Sequence, residues 1–173
     1  MEFLFRTEYD QKAVTAMARG LRRTIRKKRN RRTRIFGWIV ILFGLLLTLP
    51  LDGGPLVVDK RTVVTWLTGA VLLSVLLFED PINGYFARRR MMAGTEVVEA
   101  VFAQEDYCSQ TAAGSTRWKY ENIMYIAEDP NYFIFIFDQR YAQVYDKNSL
   151  QGGSAEEFRA FLMDRTGKGI CAI

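Results

Sequence analysis

IFGWIVILFGLLLTLPL (residues 35–51) and TVVTWLTGAVLLSVLLF (residues 62–78) hold no charged side chain between them. A bilayer core of about 30 Å calls for about 20 helical residues, with roughly 17 as the lower bound. Both runs meet that bound. Neither shows the water-facing polar stripe that a core helix of a soluble fold would carry. The expectation is a two-helix transmembrane hairpin. A cleaved signal peptide fits poorly, because 34 residues rich in charge precede the first run and no AxA-like site follows it. Between the runs, Asp52-Gly53-Gly54-Pro55 marks a tight turn, which makes the helices an antiparallel pair. Gly37 and Gly44, and Ala70 and Ser74, are the small residues that would let the two backbones approach.

Directly before the first run, RRTIRKKRNRRTR (residues 22–34) gathers nine cations: Arg22, Arg23, Arg26, Lys27, Lys28, Arg29, Arg31, Arg32 and Arg34. Arg88, Arg89 and Arg90 follow the second run, whereas the connecting stretch 52–61 has only Lys60 and Arg61, beside Asp52 and Asp59. By the positive-inside rule both termini face the cytoplasm of a multi-pass protein in the inner or plasma membrane. A mean hydropathy of −0.05 hides this division. Residues 1–34 hold 12 Lys/Arg against 3 Asp/Glu, a balance of +9, and the remainder holds 12 against 16, a balance of −4. Residues 10–25 read as an amphipathic helix capped by Asp10, with Val14, Met17, Ala18, Leu21 and Ile25 on one face. The basic run has three readings: a topology signal, a site for anionic phospholipid headgroups at about 1 kcal/mol per nearby cation, or a nucleic-acid contact. The last is disfavoured, since no aromatic residue interleaves the cations and the run adjoins a bilayer.

Beyond the second run, Glu79-Asp80-Pro81 and Asn83-Gly84 are expected to break the helix, leaving 79–94 as a juxtamembrane linker. The domain layout is then a strand and basic amphipathic helix (1–34), a span (35–51), an outside loop (52–61), a span (62–78), the linker, and a cytoplasmic domain (95–173). In that last domain TEVVEAVFA (95–103), TRWKY (116–120), NYFIFIF (131–137) and YAQVY (141–145) read as strands, the third as a central one. Ser154 and Glu157 form a capping box for a terminal helix with Phe158, Phe161 and Leu162 on its buried side and Gly167 at its end. The fold class is membrane α+β, with a cytoplasmic antiparallel sheet or partial barrel capped by the C-terminal helix. EFLFR (2–6) has strand character, with Phe3 and Phe5 on one face. A domain as small as 95–173 has a marginal core, so this segment is expected to complete its sheet.

The stretch 120–164 resembles the YcxB-like family of bacterial membrane proteins, whose C-terminal domain is similar to pleckstrin-homology-like domains. The resemblance rests on Tyr120, Ile123, Ile126 and Glu128, on the strand Phe133–Phe137, and on the capped helix with Phe158, Phe161 and Leu162. Tyr120 stands where the family often has Trp, and Asp146 where it often has proline. The resemblance implies an architecture of two spans and a plugged curved sheet, and no enzyme activity.

Candidate chemistry is sparse. The chain has no histidine, so the commonest general base and metal ligand is missing. Cys108 and Cys171 lack metal spacing and suit a reducing compartment, and no metal or cofactor is expected. The doublets Glu105-Asp106, Glu128-Asp129 and Glu156-Glu157 fall at strand ends or a helix start, where carboxylates serve structure. No P-loop or nucleophile elbow is present. The expected function is a non-enzymatic, membrane-anchored interaction module that binds a protein partner or anionic lipid headgroups, the partner being a membrane complex or a second copy. The alternatives are a bacteriocin or toxin immunity protein and an accessory subunit of a transport complex.

Overall fold

The computed structural model describes residues 2–50 and 58–173. Phe3–Glu8 (β1) alternates buried and exposed side chains, putting Phe3, Phe5 and Thr7 inward. It is the edge of an antiparallel sheet completed by Val97–Phe102 (β2), Asp106–Thr111 (β3) and Gly114–Lys119 (β4). Phe3 lies opposite Phe102 and Phe5 opposite Ala100, so the N-terminal segment joins the C-terminal domain as its first strand.

A second sheet has the order β7-β6-β5-β8, formed by Tyr125–Glu128 (β5), Tyr132–Ile136 (β6), Ala142–Asp146 (β7) and Ile170–Ala172 (β8). The last strand pairs parallel to β5, so the expected antiparallel sheet is in fact two four-stranded sheets, one of them mixed. The sheets meet at β1 and β7. There Asp146 N–H donates to Thr7 Oγ1 (2.9 Å), and Leu4 and Gln151 exchange backbone hydrogen bonds at 3.0 and 2.9 Å. Inside, Phe3, Phe5, Phe102, Tyr107, Phe133 and Tyr145 surround Phe158 of the helix Ala155–Thr166. That helix carries the expected capping box, and Gly167 ends it at a φ of 64°. Phe158 reaches four rings of the cluster within 4.8–5.1 Å between centroids (Phe3, Phe5, Phe102 and Phe133), which makes it the plug of the core.

The helix Gln11–Arg23 (α1) covers the other face of the second sheet, where Ala13, Ala16 and Leu21 meet Ile134, Ile136 and Val144. β6 is therefore buried on both faces, which explains its uninterrupted apolar run. Asp10 caps α1 through Ala13 N–H (2.8 Å), as expected, but its buried surface is broader than one stripe. The reason is a second partner: the helix Glu79–Arg89 (α4) rides on its back, with Gly84 against the backbone of Thr15. The helix break expected over Glu79–Gly84 is thus confined to Phe78. Pro81 sits in the first helical turn, where a missing N–H costs nothing, and Glu79 and Asp80 complement the dipole.

Lys27–Leu46 (α2) and Lys60–Leu77 (α3) project from this body. Asp59 caps α3 through Thr62 N–H (2.8 Å), which brings Lys60 and Arg61 into the helix rather than the loop. The expected Asp52–Pro55 turn lies outside the described residues. Among those described, α3 is the one helix long and apolar enough to cross a membrane. The helical part of the first apolar run stops at Leu46, followed by a turn through Leu49. Neither helix is packed into the chain's own core: α2 has no buried residue and α3 only Thr62.

Candidate functional site

Where α1 passes into α2, and α3 into α4, the helices enclose a cleft of about 590 Å³. Its apolar side is Val14, Met17, Ala18 and Leu21 of α1 with Phe86 and Ala87 of α4. Its rim is cationic: Arg22, Arg26, Arg29 and Arg90, joined by Arg140 from the turn between β6 and β7.

These arginines are not equivalent. Arg22 is held by Asp80 in a bidentate pair, Nε to Oδ1 and Nη2 to Oδ2, both 2.5 Å. That hydrogen bonding raises the Arg22 guanidinium above its ordinary value. Arg19 lies 3.8 Å from the same carboxylate and 3.6 Å from buried Asp129, tying α4, α1 and the β5–β6 turn together. Arg26 donates through Nε to the Gln139 carbonyl (2.7 Å), a neutral acceptor. Burial lowers its guanidinium, and the nearby charges of Arg29 and Arg140 lower it further, against smaller opposing pulls from Asp138 and Glu79. Arg29, Arg90 and Arg140 have no side-chain ion pair among the described residues. Glu79, the acid of the cleft, accepts from the Asn30 amide at 2.8 Å in the orientation that satisfies both groups. The cleft keeps a surplus of positive charge. It is suited to hold an anion.

The basic run is therefore divided by the turn of the helix. Arg22, Arg26 and Arg29 face the cleft, while Arg23, Lys27, Arg31 and Arg34 line a shallower groove on the far side beside Trp38, Cys171 and Ile173. Lys28 and Arg32 are exposed, as are Arg88 and Arg89 at the end of α4. Arg140, Asp80 and Glu79 are charged residues of the site that the sequence does not single out. Glu79-Asp80-Pro81 reads locally as a helix break, and nothing local to Arg140 ties it to residues 22–34. Between α2 and α3, Gly37 faces Leu76 and Gly44 faces Thr65, in antiparallel register. Ala70 lines the space between these helices but is largely exposed, and Ser74 returns its hydroxyl to the Ala70 carbonyl of its own helix (2.8 Å).

Five of the six acidic-doublet residues, all but Glu105, have structural partners among the described residues. Glu128 is gripped by Arg159 (2.7 Å) and Lys147 (2.5 Å), Asp129 accepts from the backbone of Asn131 and Tyr132, and Glu157 closes the capping box. Asp106 lies 3.6 Å from Arg117, and Glu156 pairs with Arg159 at 2.8 Å.

Residues 104–162 match the family model described as YcxB-like protein. This part of the chain is a YcxB-like domain. The match begins just before β3 and ends at Leu162, so it contains the plug residue Phe158 and the strands β3 to β7. Of the cleft arginines, only Arg140 belongs to the YcxB-like segment; the others come from the N-terminal arm and α4. No curated protein and no solved structure matches the chain.

Proposed function

We propose that the chain is a non-enzymatic, membrane-anchored interaction module that engages anionic phospholipid headgroups at the cytoplasmic face. The observation that carries this reading is a juxtaposition. Two helices with bare apolar surfaces (Phe36 is 68% exposed, Leu67 62%) rise from an arginine-lined base where, among the described residues, Arg29, Arg90 and Arg140 have no ion pair. Monomeric soluble proteins rarely leave contiguous apolar surface of that kind in water. In this reading α2 and α3 are the two spans, and both termini lie in the cytoplasm with a pleckstrin-homology-like body built from β1–β8 and the terminal helix. Cations at the cytoplasmic end of a span add electrostatic attraction to acidic lipid, at about 1 kcal/mol for each one near the surface.

The topology is tested in intact cells carrying Gly54→Cys in a Cys108→Ser, Cys171→Ser background. An impermeant thiol reagent should label that cysteine, whereas labelling of the native pair in sealed cells would reverse the orientation. The lipid preference is tested with the full chain in nanodiscs of neutral or mixed acidic lipid. Acidic lipid should be enriched around the protein at low salt and less so at high salt, as screening requires. Equal enrichment of neutral lipid at every salt concentration would reduce the basic run to a topology signal.

A further inference from the structure

The cleft asks for something more specific than a charged surface, and its charge and shape say what. We propose that the cleft between α1, α2, α4 and the β6–β7 turn is a discrete site for one phosphate-monoester amphiphile, its phosphate held by Arg26, Arg29, Arg90 and Arg140. This deepens the lipid reading above and rests on it.

Three observations support the assignment. Arg29, Arg90 and Arg140 bring three arginines from three separate elements to one cavity, none of them within ion-pair distance of a carboxylate among the described residues. Arg29 and Arg140 each lie close enough to Arg26 to repel it, and all three line the same cavity. Such repulsion is relieved by an anion bound between them, and guanidinium forks match phosphate oxygens two at a time. Charge also discriminates among anions. With Glu79 and Asp138 offset against two of the four arginines, the remaining surplus suits a monoester carrying about −1.5 to −2 better than a diester with a single charge. Finally, the site is not polar throughout. Met17, Leu21 and Phe86 form an apolar side, and Arg29 lies six residues before Ile35, about 9 Å along the helix. That places Arg29 near headgroup depth, beside a cleft that has an apolar side of its own. A lipid monoester fits both features; a soluble phosphate uses only the first.

The test is native mass spectrometry of the full chain in neutral detergent, titrated with phosphatidic acid, phosphatidylglycerol, glycerol 3-phosphate and inorganic phosphate. One phosphatidic acid per chain is expected, held about tenfold more tightly than the other three, the advantage of a second charge-assisted hydrogen bond. Arg140→Gln and Arg90→Gln should each remove most of that preference, and Arg32→Gln, on an exposed part of the same basic run, should leave it intact. Arg140 is on an exposed turn, so its variant should melt at the wild-type temperature without ligand, which separates lost binding from lost folding. Graded, non-saturating binding weakened equally by Arg32→Gln and Arg140→Gln would overturn the discrete site while leaving general acidic-lipid attraction in place. Glycerol 3-phosphate or inorganic phosphate binding as tightly as phosphatidic acid would overturn the amphiphile. Indifference to every anion would overturn both this site and the broader lipid reading.

Discussion

Gln143 shows how a polar side chain is made tolerable in the interior. Its Oε1 accepts from the hydroxyls of Tyr107 and Tyr145, both at 2.7 Å, and its Nε2 donates to Tyr141 (3.0 Å). Burial pushes the phenols of Tyr107 and Tyr145 far above their ordinary range, so both remain neutral donors. Gln143→Leu would leave two buried hydroxyls without an acceptor, and a loss of about 2–4 kcal/mol is expected from thermal melting of the purified chain. Glu128 is a pH-sensitive counterpart. Burial alone would raise its carboxyl, but the hydrogen bonds from Arg159 and Lys147 outweigh burial and hold it below the usual carboxylate range. A depressed folded-state value means the stabilisation is complete above the unfolded-state pKa and disappears as pH falls through the folded one. Glu128→Gln should therefore lower the melting temperature at pH 7, and the gap should shrink as the pH falls below the ordinary carboxylate range. An undiminished gap in acid would show that the carboxylate's charge is not what matters.

Among the elements, the fit of α4 on α1 is the tightest. A Cβ at Gly84 would stand 2.5 Å from Thr15 Oγ1 and 3.0 Å from the Thr15 backbone, which cannot rotate away. Gly84→Ala should gain about 1 kcal/mol of helix propensity yet still destabilise, because overpacking a fixed backbone costs about 1–3 kcal/mol. Gly37→Ala provides the contrast. Its Cβ would meet the end of the Leu76 side chain at 2.9 Å, and that end can move. Limited proteolysis of the two variants should show faster cleavage at the α1–α4 interface for Gly84→Ala only. Asp80 fixes the same interface through Arg22, and it is mostly buried, so Asp80→Ala strands a guanidinium there. Removing one partner of a buried pair is expected to cost about 3 kcal/mol.

At the scale of the molecule, the helices α1 to α4 are a long excursion between two strands that lie side by side. β1 ends at Glu8, β2 begins at Val97, and these two residues are register partners. The body is closed from both ends of the chain, and Phe3 and Phe5 supply aromatic rings to the cluster around Phe158. Fragment 95–173 should consequently be far more sensitive to protease than the same residues in the full chain. Phe3→Asp with Phe5→Asp should loosen the C-terminal body and, on the membrane-anchored reading proposed above, leave insertion unchanged. A fragment as resistant as the intact protein would make the N-terminal strand dispensable.

What the sequence determined by itself is what short-range pattern encodes. The two uncharged runs, the alternation of EFLFR, the Asp10 cap, and the Ser154–Glu157 box with Gly167 at its end all depend on residues within a few positions of one another. The doubly buried β6 was legible as a central strand because an apolar run needs cover on both faces. β3 and β8 gave no such signal: DYCSQT mixes polar and apolar residues, and ICA is too short to show a period. Pro81 and Gly84 misled, since each breaks helices in general but here occupies the first turn or a close helix contact. The cleft belongs to tertiary structure alone. Arg26 and Arg140 are 114 positions apart, yet they share one cavity because the β6–β7 turn is carried to the foot of α2 by the packing of α1 on the second sheet. A one-dimensional pattern reports how many charges a segment has; only the packed chain decides which of them are left facing one another without a partner.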